Sequence, residues 1–299
     1  MKILKIEMIN HLRISSLATL LLMVSLFSPT ASFAERIVRS SYVSIPVSVD
    51  DKSWDLAAKL NYPLESGNGA AVLIVHGSGG IDTRGEFHTK SLNAAGFVTL
   101  EIDLWAARGW MGSSFGRPSG VPETLPDAFA ALSFLADLDG VDADRIGIVG
   151  FSWGGVVSML SRSTNYLNNL SGDHQFAANV AFYPVCWVYN KVPGYELNEV
   201  VKQPLLILTG EWDDYDTPTS CLEWQGSLNE RNQGNVEIVV YPRSYHGFNT
   251  SAAPIEVTDS FSHQGKGGQV TVKAGKQSRV QSDRAVVEFF SNNMGNRIE

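Results

Sequence analysis

Gly150-Phe151-Ser152-Trp153-Gly154 sets a serine between two glycines, and Gly155 extends the run. A sharp strand-to-helix turn can lift such a hydroxyl clear of the backbone, and glycines keep the turn free of clashes. Near neutral pH the hydroxyl is still a poor nucleophile. It needs a base to take its proton and a carboxylate to orient that base. Two later segments offer both. Leu205 to Gly210 runs into Glu211-Trp212-Asp213-Asp214-Tyr215-Asp216, and Val236 to Tyr241 runs into Pro242-Arg243-Ser244-Tyr245-His246-Gly247-Phe248. The order serine, acid, histidine belongs with this kind of turn. His246 is the expected base. Asp213 or Asp214 is the expected acid, and Asp216 is the outsider of the three.

Acyl transfer at Ser152 would build negative charge on a carbonyl oxygen, which calls for waiting N–H donors. Trp153, directly after the serine, supplies one. The second should come from His76-Gly77-Ser78-Gly79-Gly80, with Ser78 the first choice and Gly79 the next. Trp105, Trp110, Trp153 and Phe115 are candidates to line an apolar pocket, although aromatic residues also serve as ordinary core.

These residues need a scaffold that brings distant loops to one place. Ala71–Val75, Phe97–Ile102, Ile146–Val149, Val180–Tyr183, Leu205–Leu208 and Val236–Tyr241 are short apolar runs without alternation. Strands covered on both faces of a parallel sheet read this way. Tyr42 to Val49 alternates apolar with small polar residues, and Trp54 to Tyr62 could return as its antiparallel partner. Between the runs, Thr124 to Leu138, Trp153 to Leu160 and Ser282 to Phe290 repeat at helical spacing. Alternating strands and helices predict an α/β protein with a mostly parallel, doubly wound sheet and an antiparallel N-terminal hairpin. In such sheets the site lies at the carboxyl ends of the strands, where every candidate above falls.

Lys2, Lys5 and Arg13 precede a mostly apolar run from Ile14 to Phe27, and Ala31-Ser32-Phe33-Ala34 offers small residues for cleavage. The pattern predicts a secretory signal over residues 1–34, a single domain over 35–299, and an exported protein, periplasmic or secreted, free of the membrane after cleavage. The full chain carries −8; residues 1–34 hold three cations and one Glu, which leaves −10 on the rest. That charge argues against a nucleic-acid partner. In an exported chain the two cysteines, Cys186 and Cys221, suggest one disulfide. The six histidines show no zinc-type spacing, so no metal is expected.

Taken together, His76-Gly77-Ser78-Gly79-Gly80, Asp103-Leu104-Trp105 with Arg108-Gly109, Val141 to Gly155, Gly210-Glu211 with Asp213-Asp214, and Tyr241-Pro242 with His246-Gly247-Phe248 resemble the dienelactone hydrolase family over about residues 70 to 250. The resemblance implies the α/β-hydrolase fold, no cofactor, and hydrolysis of a small-molecule ester or lactone. Cys186 and Cys221 look like the cysteine pair of its exported members. The founding enzymes use a cysteine nucleophile, a glutamate beside the oxyanion loop and two arginines that hold the substrate carboxylate. Here Ser152 and Gly77 take the first two positions. Arg108 stands near the first arginine, with Trp105 beside it, and Asn249 and Thr250 stand where the second would fall. These departures imply an ordinary serine triad. A peptidase or acyltransferase on the same fold, and a binding protein that keeps the fold without turnover, are the alternative readings. Residues 251–281 match no family motif and read as an insertion or as a rim of the site.

Overall fold

The computed structural model describes residues 39–63, 67–170, 172–228 and 235–295. The expected leader over residues 1–34 lies outside them. Strands β1 (Arg39–Val49) and β2 (Lys52–Tyr62) form the antiparallel hairpin, closed by Asp50 and Asp51. Then come β3 (Ala71–Val75), β4 (Val98–Ile102), β5 (Ile146–Phe151), β6 (Ala178–Phe182), β7 (Leu205–Gly210) and β8 (Val236–Tyr241). All eight join one sheet in the order β1-β2-β4-β3-β5-β6-β7-β8, parallel from β4 to β8. Every residue of β3 to β7 is buried, as continuous apolar runs require when both faces are covered.

Helices supply the cover. On one face lie α1 (Thr83–Ala94) and, at the C-terminal end of the described chain, a long helix, Lys276–Met294, whose Val286, Phe289 and Phe290 are buried. On the other face lie α2 (Leu125–Ala136) and α3 (Trp153–Leu160), with Leu125, Leu132 and Val157 fully buried. Helix α4 (Ser220–Ser227) follows β7, and the C-terminal helix is α5. Helix α1 has no apolar stripe. Its buried residues are Arg84, Gly85, His88, Thr89, Leu92 and Asn93, so helical periodicity could not reveal it.

The chain passes from β3 out to β4 and then to β5 on the opposite side of β3. That reversal opens a crevice beyond the carboxyl ends of β3 and β5. The loop at residues 76–80 and the turn at Ser152 both emerge there. Residues 251–281 contain a second, two-stranded sheet, β9 (Ile255–Asp259) with β10 (Gly268–Val272). It joins the main body beside the expected acid and base. Val272 bridges His246, Lys273 N–H donates to His246 O, and His263 N–H donates to Asp214 O. The segment is a rim of that end of the sheet.

Candidate active site

Ser152 sits between β5 and α3 with φ 52° and ψ −107°, a left-handed conformation that a side-chain-bearing residue adopts only when its surroundings hold it there. The neighbouring glycines are what make the turn possible. A Cβ at Gly150 would lie 1.9 Å from Gly154 O, one at Gly154 would lie 2.2 Å from Val75 O, and one at Gly155 would lie 2.6 Å from Phe182 O. Each obstacle is backbone. The turn is pinned further by Ser152 N–H donating to Phe182 O and Gly154 N–H donating to His76 O.

The residue 76–80 loop abuts this turn. A Cβ at Gly77 would lie 3.5 Å from Ser152 Cβ and 3.1 Å from Phe151 O. His76 is buried, and its ring anchors the loop at both nitrogens. Leu104 N–H donates to Nε2 at 3.0 Å, so Nδ1 carries the proton and donates to Gly77 O at 2.7 Å. Burial lowers the His76 pKa, in keeping with this neutral tautomer. Among the described residues the N–H groups of Ser78 and Trp153 donate to no acceptor. Trp153 opens α3, where N–H groups lack intrahelical partners and the helix dipole favours negative charge.

Asp213 and His246 stand on the loops after β7 and β8. His246 Nδ1–H donates to Asp213 Oδ2 at 2.8 Å, with both side chains nearly buried. The other aspartates are committed elsewhere. Asp214 Oδ2 accepts from Thr271 N–H, and Asp216 accepts from Trp187 and Thr217 N–H groups. Burial pushes the Asp216 pKa up to about 6. The His246 ring lies between Tyr183 and Tyr215, 4.5 Å from each by ring centroids. Tyr215 in turn shares a cavity wall with Ser152. No hydrogen bond joins Ser152 Oγ to His246 among the described residues.

That cavity, of about 250 Å³, opens at Ser152 and Trp153 and runs between Val121, Val156, Trp187, Tyr189 and Phe261. Cys186 and Cys221 form the expected disulfide, which ties the start of this wall to α4. Of the aromatic candidates, Trp153 lines the cavity, Phe115 is almost fully exposed, and Trp105 is buried against His76, Trp110 and Trp153.

Arg108, expected at the substrate, does not line this cavity. Its guanidinium donates to Leu104 O and to the Asp127 carboxylate, and stacks between Trp54 and Trp110 at 4.4 and 4.1 Å. Burial pushes the Asp127 pKa up to about 6 even against this cation. Asn249 is sealed in the core, where its side chain accepts from Tyr183 O–H and donates to His88 Nε2. Arg84 stands against Gly77 of the residue 76–80 loop, paired with Asp82 and donating to Tyr183 Oη. Sequence reasoning missed Arg117, the charged residue that does reach the cavity. Its pairing partner Asp259 is 142 positions away, so no local pattern could point to it.

The profile of the dienelactone hydrolase family matches residues 56–293. The chain belongs to that family. That membership makes the protein a carboxylic ester hydrolase. A Bradyrhizobium protein named "Probable 2-oxo-3-(5-oxofuran-2-ylidene)propanoate lactonase" is 25% identical over 203 residues, covering 64% of this chain and 78% of its own. A carboxymethylenebutenolidase-named protein of Escherichia coli K12 is 26% identical over 186 residues, and this chain spans 62% of its length. Among solved structures, the dienelactone hydrolase of Anabaena variabilis superposes with a TM-score of 0.57 at 16% identity, covering 85% of this chain and 99% of its own. Thermogutta terrifontis esterase 2 gives 0.58 at 17%, covering 86% and 96%. At such identities the superpositions speak to the α/β-hydrolase fold, which they share with this family member. No helix among the described residues is long and apolar enough to cross a membrane.

Proposed function

We propose that this protein hydrolyses a carboxylic ester or lactone through an acyl-enzyme on Ser152. The observation that carries the reading is the left-handed turn at Ser152, enforced by three glycines whose neighbours are backbone and abutted by the residue 76–80 loop at Gly77. A backbone held in a sparsely populated region by its surroundings is a mark of functional sites. The Asp213–His246 hydrogen bond supports it by orienting an imidazole with Nε2 left to serve as base.

In the proposed reaction Ser152 Oγ attacks the carbonyl carbon as His246 Nε2 takes the hydroxyl proton. The carbonyl π electrons move to oxygen, and the Ser78 and Trp153 N–H groups hold that oxyanion. Collapse expels the alkoxide, which leaves with the proton from His246. A water then repeats the sequence on the acyl-enzyme and frees Ser152. Asp213 keeps the imidazole in the productive tautomer and stabilises its protonated form. The hydrogen bond between Ser152 and His246 would tighten as substrate binds, since such bonds are often open in unliganded sites.

Ser152→Ala should lower kcat toward p-nitrophenyl esters by at least about 10³-fold, with an unchanged melting profile. A fluorophosphonate should label the native protein and spare the variant. Near-normal esterase rates in Ser152→Ala would overturn the proposal.

A further inference from the structure

The cavity beside Ser152 has the walls of an apolar site and contains one charged side chain among the described residues, Arg117. That charge is already used. Arg117 Nη2 donates to Asp259 Oδ1 at 2.9 Å, and the two side chains are 10% and 2% exposed. Asp259 is held from two more directions, by Phe261 N–H on the same oxygen and by Tyr215 O–H on the other, at 2.9 and 2.8 Å. The guanidinium also lies near the rings of Trp153 and Phe261, 5.7 and 5.2 Å from their centroids. The remaining walls are supplied mainly by Val121, Val156, Trp187, Tyr189 and Phe261.

A carboxylate on the substrate would therefore enter a site whose one cation has a buried counter-charge. It would either stay without a partner among apolar groups or compete with Asp259 for Arg117. Both are costly, because a buried charge needs its own partner and breaking a buried pair strands the other member. A neutral ring meets no such cost and gains from the aromatic walls. An apolar cavity of roughly 150 Å³ accepts a benzene, so about 250 Å³ takes one substituted ring or a branched chain of similar size.

Resting on the hydrolase reading above, we propose that the natural substrate is a neutral ester or lactone carrying an aromatic or branched apolar group, and that Asp259 sets this preference by neutralising Arg117. The rim segment is thus part of the specificity machinery. Asp259 ends β9 in that segment, and its carboxylate holds the Arg117 guanidinium. Asp259 acts through Arg117 and Tyr215, as a positioning residue.

The test uses two matched pairs, so that either side of the ester can occupy the cavity. On the acyl side, p-nitrophenyl benzoate is compared with p-nitrophenyl 4-carboxybenzoate. On the alcohol side, p-tolyl acetate is compared with 4-acetoxybenzoate. Each kcat/KM is divided by the hydroxide rate of the same ester. The native enzyme should favour the neutral member at least tenfold in one pair or both. Asp259→Asn should lift the carboxylate member at least tenfold relative to its neutral partner in that pair, seen mainly in KM. Equal or better use of the carboxylate members by the native enzyme would overturn the proposal whether or not the variant folds. A folded Asp259→Asn with an unchanged ratio would remove Asp259 from it. Fluorophosphonate labelling separates the two layers. A labelled enzyme without the preference refutes the specificity alone, and an unlabelled, inactive one refutes the hydrolase reading and the specificity with it.

Discussion

Asp213 Oδ2 and His246 Nδ1 meet at 2.8 Å, while Asp214, the next residue, gives its carboxylate to a backbone N–H of β10. Adjacent carboxylates thus face different elements, one the imidazole and the other the rim. If Asp213 orients the base, Asp213→Asn should lower kcat by about 10⁴-fold, because an amide stabilises the wrong imidazole tautomer. Asp214→Asn should cost less than about tenfold in kcat and show as a lowered melting temperature. Steady-state rates and thermal melts of the two variants, made side by side, check this. An equal loss of kcat in both would remove the distinction.

The turn at Ser152 leaves no room for a methyl group at Gly154, where a Cβ would stand 2.2 Å from Val75 O and 2.7 Å from His76 O. Both obstacles are main chain at the end of β3 and in the residue 76–80 loop, so neither can swing aside. Gly154→Ala should destabilise the fold by about 3 kcal/mol or more, the upper end of overpacking costs. If the residue 76–80 loop holds the oxyanion, any folded fraction should also lose kcat through its displacement. Denaturant unfolding checks the first effect. A variant with unchanged stability would mean that the turn relaxes more freely than its contacts imply.

The Cys186–Cys221 bond closes a separation of 35 residues. On loop entropy alone that is worth about 4 kcal/mol. The double variant Cys186→Ser/Cys221→Ser should unfold at correspondingly lower denaturant. Its KM should rise more than its kcat falls, because the bond anchors the cavity wall that begins at Val185. Native protein treated with a reductant should approach the variant's unfolding midpoint.

Glu101 lies on β4, where burial raises its pKa from 4.5 to about 7, and one of its oxygens, Oε1, has no partner among the described residues. A folded value above the unfolded one means that the unfolded chain releases this proton first. Its contribution to stability is intact below about pH 4.5 and is lost as pH rises through about 7, a total on the order of 3 kcal/mol. Glu101→Gln removes the titration. Relative to the native protein the variant should gain stability between pH 5 and pH 8, as measured by urea unfolding across that range. A parallel pH dependence in the two proteins would assign the loss to other groups.

Much of the scaffold could be read along the chain because the signals are local. Continuous apolar runs marked β3 to β8, alternation marked the N-terminal hairpin, and the glycines around Ser152 marked the turn. Each of these signals is written within a few positions of the chain. The order of serine, acid and histidine likewise pointed to the loops on which the candidate residues lie.

Whatever depended on side chains meeting across the fold was decided by tertiary structure alone. The choice of Asp213 over Asp214 as the partner of His246 rests on loop geometry after β7. Arg108 was expected at the substrate from its likeness to the first arginine of the family, yet it turns to Asp127 and two indoles, because a buried carboxylate needs a cation more than an apolar cavity does. Helix α1 stayed hidden because it buries polar residues, and the Arg117–Asp259 pair because 142 positions separate its members. Periodicity along a chain reports which face a residue turns inward. It carries no record of which distant charge waits there, and in this protein that meeting of charges shapes the pocket.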